Sequence, residues 1–285
     1  MNKKIISAFL VLAFAPLASI ACGFNFEGPQ QSQPIPEVTE DINIPYPDSE
    51  EITLKLSFGA GKLKLTSGAS GLVDGTATYN YEEFNPIVTT EGGDVEIKMG
   101  DKNFNLFPAF DEITNIWDFK LGDQPMNLTI DSGAYQGTFE FGGLALTNLD
   151  ISDGAADVTV TFSEPNQTEM TQFIYSTGAS NVKLEGLANA NFSILDFSAG
   201  AGDYTLDFSG ELQRDATIKI SSGLSNMILV IPKGVHAIVT VESGASNISA
   251  GSGWRQNGSV YEQAGEGATL TFVIEMGAGN LTLTD

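Results

Sequence analysis

The 285-residue chain has one cysteine, one histidine, two tryptophans and 13 basic residues against 36 acidic ones. Each shortage removes a class of function. Cys22 stands alone and cannot form an intrachain disulfide. His236, in Ile231-Pro232-Lys233-Gly234-Val235-His236, has no second histidine to join it, so zinc sites of the usual His/Cys kind cannot be assembled. A Ser-His-Asp triad would have to use His236, and no nucleophile-elbow sequence is present. His236 therefore reads as a plain turn residue entering a strand. The formal net charge of −23 repels nucleic-acid phosphates and disfavours close contact with anionic lipid heads. Beyond residue 21 no apolar run approaches the roughly 20 residues of a membrane span.

What is present begins with an export signal. Lys3 and Lys4 precede an apolar stretch from Ile5 to Ala18, and small residues close it at Ala21. Residues 1–21 read as a cleaved leader. Removing its two lysines and no acids leaves 11 basic against 36 acidic residues, a charge of −25. The only cysteine follows at once, in Leu17-Ala18-Ser19-Ile20-Ala21-Cys22. That order resembles a bacterial lipobox, with Ser19 where leucine is usual. The resemblance implies acylation of Cys22 and a membrane partner through that anchor. An ordinary cleaved signal, giving a secreted protein, is the alternative. Residues 22–50 contain Pro29, Pro34, Pro36, Pro45 and Pro47 and read as an extended, disordered tether.

From residue 51 the sequence is periodic. Gly59, Gly133, Gly154, Gly178, Gly200, Gly223, Gly244 and Gly277 head equivalent segments, spaced from Gly133 onward by 21, 24, 22, 23, 21 and 33 residues. Five and three residues before each glycine the side chain is always apolar or aromatic, from Leu54 and Leu56 to Phe272 and Ile274. Four and six after, it is apolar with one exception, Gly137. Period-2 spacing on both sides predicts two short strands per repeat, each with one buried face. The apolar parity changes across the glycine, so the chain must turn there, and glycine accommodates left-handed conformations. Alanine follows in seven of eight copies and suits a tight inward corner. Three after the glycine stands Lys62, Gln136, Asp157, Asn181, Asp203, Asn226, Asn247 or Asn280, mostly the Asn/Asp type that closes turns. One repeat cannot bury its own face and stacked repeats can. The expected fold is all-β, a β-solenoid-like array over 125–285 with a distinct N-terminal β subdomain over 51–124. A multi-hairpin β-sandwich is the alternative.

The rule breaks between Gly59 and Gly133. One weak copy lies at Val88 to Ile97, with Glu91 at the glycine position. Phe107, Phe110, Ile113 and Trp117 could line one face of a short helix, as a hydrophobic cap on the array or as an aromatic binding patch. Carboxylate pairs at Glu50-Glu51, Glu82-Glu83 and Asp111-Glu112 read as solvated surface. The loops at 154–157 and 200–203 offer too few acids for calcium, which takes 6–8 oxygens. No catalytic, cofactor-binding or metal-binding residue is assigned, and no cofactor is called for. Six Asn-x-Ser/Thr sequons, at Asn127, Asn166, Asn191, Asn247, Asn257 and Asn280, fit chance in so Asn-rich a chain.

Leu56-Ser57-Phe58-Gly59-Ala60-Gly61-Lys62-Leu63, Asn115-Ile116-Trp117-Asp118-Phe119-Lys120-Leu121 and the Gly-Ala-Ser-Asn copies at 178–181 and 244–247 resemble the bacterial toast-rack family of unknown function. More loosely they resemble LiaF-like and adhesin domains. The resemblance covers most of residues 51–285. It implies a cell-envelope setting and transfers no catalytic residue. The expected function is a non-enzymatic lipoprotein on the outer face of the bacterial membrane, binding a protein or glycan partner. A structural or self-assembling surface element, or an envelope-stress accessory factor, is the alternative.

Overall fold

The computed structural model describes residues 33–100 and 112–285. The leader, Cys22, Phe107 and Phe110 lie outside the described residues. The fold is all-β, and among the described residues no α-helix occurs. In chain order the strands are β1 (Val38–Ile44), β2 (Thr53–Ser67), β3 (Val73–Tyr79), β4 (Pro86–Glu91), β5 (Asp94–Met99), β6 (Asn115–Leu121), β7 (Met126–Glu140) and β8 (Leu146–Asp153). They continue with β9 (Ala155–Thr161), β10 (Met170–Glu185), β11 (Phe192–Asp207), β12 (Ala216–Val230), β13 (Gly234–Ala250), β14 (Trp254–Asn257), β15 (Val260–Gln263) and β16 (Gly265–Thr284).

Each repeat is a rung, and the rungs stack in parallel as a β-solenoid-like array. Equivalent residues pair across β2, β7, β8 with β9, β10, β11 and β12, so the expected apolar columns lie above one another. Every long strand runs straight through its glycine and stays paired on both sides of it. The rung is thus one bent strand with two halves. The first halves form one layer and the second halves another, and the layers meet along the glycine column. Their inner faces share a single apolar core. Burying four or more large apolar side chains per rung, at about 1.5–3 kcal/mol each, is what holds the stack against chain entropy.

Aromatic residues eight after the glycine extend that core. Phe141, Phe162 and Phe208 fold back from the second layer onto the first, where Phe162 meets Phe173 at 6.2 Å and Phe208 meets Phe272 at 5.0 Å. The return loops are pinned by buried amides. Asn166 donates to the carbonyls of Leu146 and Thr168, and its Oδ1 accepts from the Leu146 amide.

Several expectations need correction. The tether was expected to be disordered to residue 50, but β1 lies within it, antiparallel to β3, with Ile42 and Ile44 buried. Prolines bracket this strand without entering it, so composition averaged over the segment hides it. Trp117 is not helical: β6 is a strand that pairs with β2 and β3 and turns Trp117 and Phe119 into the core. The weak copy around Glu91 is an antiparallel β4–β5 hairpin turning at Gly92. Together these pieces cap the first rung, β5 over its first half and β6 over its second. The sheet runs on past residue 124, because β2 pairs directly with β7. At the other end the rungs leave chain order. β16 lies between β12 and β13, and the β14–β15 hairpin folds back on β13.

Candidate functional surface

The glycine column sets the geometry of everything around it. None of its members has a positive φ. The need for glycine is close approach: a Cβ on Gly178 would lie 2.4 Å from the Gly154 carbonyl oxygen, and one on Gly200 2.5 Å from that of Gly178. The same contact recurs for Gly133 on Gly59, Gly223 on Gly200, Gly277 on Gly223 and Gly244 on Gly277, at 2.4–2.8 Å, and is looser for Gly154 on Gly133, at 3.0 Å. The left-handed twist falls two residues later, at Gly61, Gly202 and Gly279.

The alanine after the glycine does not fill an inward corner. In five of the eight copies that position is exposed on the outside of the bend, Leu224 by 63%; Ala134 and Ala278 are half-buried, and Ala60 alone is buried. The residues that point inward at the bend are those one before and two after the glycine. Around Gly178 and Gly223 both are polar, and Asp153 joins them from the rung of Gly154. Tyr175 donates to Asp153 Oδ2 at 2.8 Å, Thr177 donates to Asp153 Oδ1, and the Thr177 and Ser180 hydroxyls lie 2.6 Å apart. Ser222 and Ser225 pair at 2.9 Å in their rung. Burial, with neighbouring Tyr135 and Asp153, pushes the Tyr175 phenol far above its ordinary range. Burial and the Asp153 carboxylate do the same to Tyr135. Both phenols are therefore neutral; Tyr175 is the donor to Asp153, while the Tyr135 hydroxyl is buried without a partner.

The residue three after each glycine is a surface residue, not a turn-closer. Lys62, Gln136, Asp157, Asn181, Asp203, Asn226, Asn280 and Asn247 stack in register on the outer face of the second layer, all exposed. Two residues on runs a second exposed or half-buried row with Thr138, Thr159, Lys183, Thr205 and Thr282. This is a broad field of amides, hydroxyls and carboxylates at the inter-strand spacing of about 4.8 Å. Asp157 and Asp203 are separated by Asn181 and do not converge.

No aromatic side chain of the described residues lies on this outer field. Among the described residues every Phe, Tyr and Trp is buried except Tyr46 and Trp254, which are half-buried. The large apolar side chains left exposed are Ile87, Val88, Ile116, Leu224 and Val273. His236 lies within β13, partly buried, with Nδ1 3.1 Å from Thr269 Oγ1 and Nε2 3.7 Å from a Glu262 carboxylate oxygen. The sequons at Asn166 and Asn191 are buried.

Two grooves interrupt the seam. One, of about 520 Å³, lies beside the first bend and is lined by Lys62, Asn115, Tyr135 and Gln136 among others. Among the described residues no strand pairs with this side of β2 between Ser57 and Lys62. Asn115 Nδ2 bonds the Ala60 carbonyl at 2.7 Å and Met99 Sδ accepts from the Gly59 amide at 3.2 Å, so two side chains replace backbone partners. The other, of about 530 Å³, is an open notch at the last bend flanked by Glu242 and Glu275. These two carboxylates stand abreast, both exposed.

Residues 33–185 match the family model described as the N-terminal domain of toast_rack, DUF2154. Solved structures of similar fold include a candidate cell adhesion protein from Clostridium sporogenes, 19% identical, covering 88% of this chain and 99% of that one, with a TM-score of 0.46. A candidate adhesin from Bacteroides fragilis is 9% identical over 87% and 96%, with a TM-score of 0.36. Another from Parabacteroides distasonis is 8% identical over 87% and 97%, at 0.38. No curated protein matches the chain at a significant level.

Proposed function

Since the chain belongs to the toast-rack family, with the N-terminal toast-rack domain spanning residues 33–185, we propose a non-enzymatic role: a protein displayed on the outer face of the bacterial membrane, anchored through Cys22, that binds a protein partner. The observation that carries this reading is the outer face of the second layer. Eight stacked polar side chains and a parallel hydroxyl-rich row form a rigid, extended surface on a scaffold whose interior is filled with apolar bulk. Sites on strands of a packed scaffold hold their geometry well. The absence of an aromatic platform from the described surface favours a protein over a glycan, since sugar rings are commonly held against exposed aromatic faces. The adhesion names carried by the solved relatives are consistent with such a role.

The test is photocrosslinking in cells, using the full chain with a crosslinking residue at Asn181 or Asn226. The reading predicts one discrete envelope adduct from both positions. No adduct, or the same adduct from Asp196 on the outer face of the first layer, would sink it. Anchoring is tested separately: Cys22→Ala should move the protein out of the detergent phase.

A further inference from the structure

Four half-strand edges end the two layers, and three are guarded. β1 carries Glu40 and Asp41, β4 opens with Pro86 and ends with Glu91, and β14 is four residues long and contains Arg255. Charge, proline and shortness are the devices by which natural sheets avoid unwanted pairing. The fourth edge, the second half of β13, has none of them. Ala245–Ala250 pairs with β16 on one side; on the other, among the described residues, β15 pairs with Ala237–Thr240 and no strand pairs beyond it. From Ser243 to Trp254 there is no charged residue and no proline. Ser246 Oγ occupies the position at which Ser180 and Ser225 meet a hydroxyl in their own rungs, and it has no partner.

We infer that this half-strand receives an extended segment of a basic partner protein as an added β-strand. Backbone hydrogen bonds would supply affinity without demanding particular side chains. Charge chooses the occupant. Glu242 and Glu275 stand side by side and exposed at the bend where the free edge begins, and among the described residues no cation pairs with either. A lysine or arginine next to the added stretch would lie against them. A second copy of this chain would instead set two molecules of net charge −23 against each other. The inference rests on the proposed role in binding a protein but uses a different surface, the edge of the stack and not its outer field.

The probe is a synthetic peptide of two lysines followed by alternating threonine and valine, titrated into the full-length protein. Bound peptide should slow amide exchange within Ala245–Ala250 and leave the other edges unchanged. Glu242→Gln/Glu275→Gln removes only exposed groups, so the fold should hold while binding weakens about three- to tenfold and loses part of its salt dependence. A peptide with alternate amides N-methylated should not bind, because it cannot complete the ladder. Equal binding of the methylated peptide, or protection elsewhere, overturns strand addition. Protection of the same amides that grows with protein concentration in the absence of peptide assigns the edge to a second copy and overturns the basic partner. Either failure leaves the crosslinks from Asn181 and Asn226 untouched, so the two readings fail separately.

Discussion

Gly178→Ala tests the physical origin of the repeat. Gly178 sits mid-stack with no positive φ, and its added Cβ would lie 2.4 Å from the Gly154 carbonyl oxygen and 3.4 Å from its carbon. Ordinary contact begins near 3.4 Å, so the rungs must part locally by about 1 Å. The Ala179 amide bonds that same oxygen at 3.0 Å and would lose or stretch the bond. Overpacking costs about 1–3 kcal/mol and a lost ladder bond about 0.5–1.5, offset by about 0.4–1 from reduced freedom of the unfolded chain. The net loss of about 1–4 kcal/mol corresponds to a fall in Tm of roughly 3–15 °C for a domain of this size. Gly154→Ala should lose less, because its Cβ would stand 3.0 Å from the Gly133 oxygen. The assay is thermal unfolding followed by the β-sheet circular dichroism signal. Asparagine separates the two possible reasons for glycine. At Gly234, with φ +89 and nothing within 4 Å of a Cβ, Asn should be better tolerated than Ala. At Gly178 Asn should be no better than Ala. An unchanged Tm for Gly178→Ala, or rescue there by Asn, would refute close approach as the cause.

The polar bend and its phenols give two more expectations. Asp153→Ala leaves the Tyr175 hydroxyl without its acceptor and Thr177 with Ser180 alone, and should cost about 1–3 kcal/mol, whereas Asp153→Asn keeps an acceptor oxygen and should recover part of it in denaturant melts. If Ala proves no worse than Asn, the bend does not depend on that acceptor. The buried phenols should make stability fall in alkali. Tyr79, desolvated and donating to Glu40 at 2.6 Å, is pushed up from 10.0 to about 12, and Tyr135, Tyr175 and Tyr204 are also raised by burial. A raised folded value stabilises below the unfolded pKa, so this contribution is intact below pH 10 and declines as the pH passes through 12. Phenolate absorbance should therefore appear in two stages, the second coinciding with unfolding. Single-stage titration of all seven tyrosines near pH 10 with the fold intact would contradict this.

Much of the rung was legible because burial repeats with a fixed phase. The columns before and after the glycine are buried in almost every copy, and their register is the register of the stack. The residues at the bend were harder to read. Ser, Asp, Thr, Gly and Ala dominate one before and two after the glycine, broken by Phe58, Tyr135 and Met276, so no uniform hydrophobic signal marks the inward direction. The Asn/Asp column carries the residue types of turn chemistry, and composition alone does not distinguish a loop from a bent strand. In an unbroken ladder the same residues are an outer face. The aromatic column of Phe141, Phe162 and Phe208 was visible in principle, but it lapses at Gly186 and lies beyond the repeat's period-2 stretch. Strand β1 and Trp117 were missed for another reason. Both are held by partners distant in sequence, β3 and β2, and local composition records nothing of those pairings.

The order of the last two rungs could not be read at all, and it is the feature most open to direct test. β12, β16 and β13 carry interchangeable columns, so the sequence would permit β13 to lie directly on β12. In the fold β16 separates them, placing Met276 between Ser222 and Ser243. Two rungs apart means about 9.6 Å between those Cα atoms, too far for a disulfide, which needs about 4.4–6.8 Å. Cutting the chain after Ala264 removes an interior rung, not a terminal one. The columns that made the order ambiguous should then let β13 close onto β12, bringing positions 222 and 243 to about 4.8 Å. In a Cys22→Ala background, Ser222→Cys/Ser243→Cys should therefore crosslink under mild oxidant in the truncated chain and not in the full one. Crosslinking in the full chain would place β13 beside β12 and move the free edge to β16. A truncated chain that unfolds without crosslinking would show that β16 supplies contacts which the shared columns alone cannot replace.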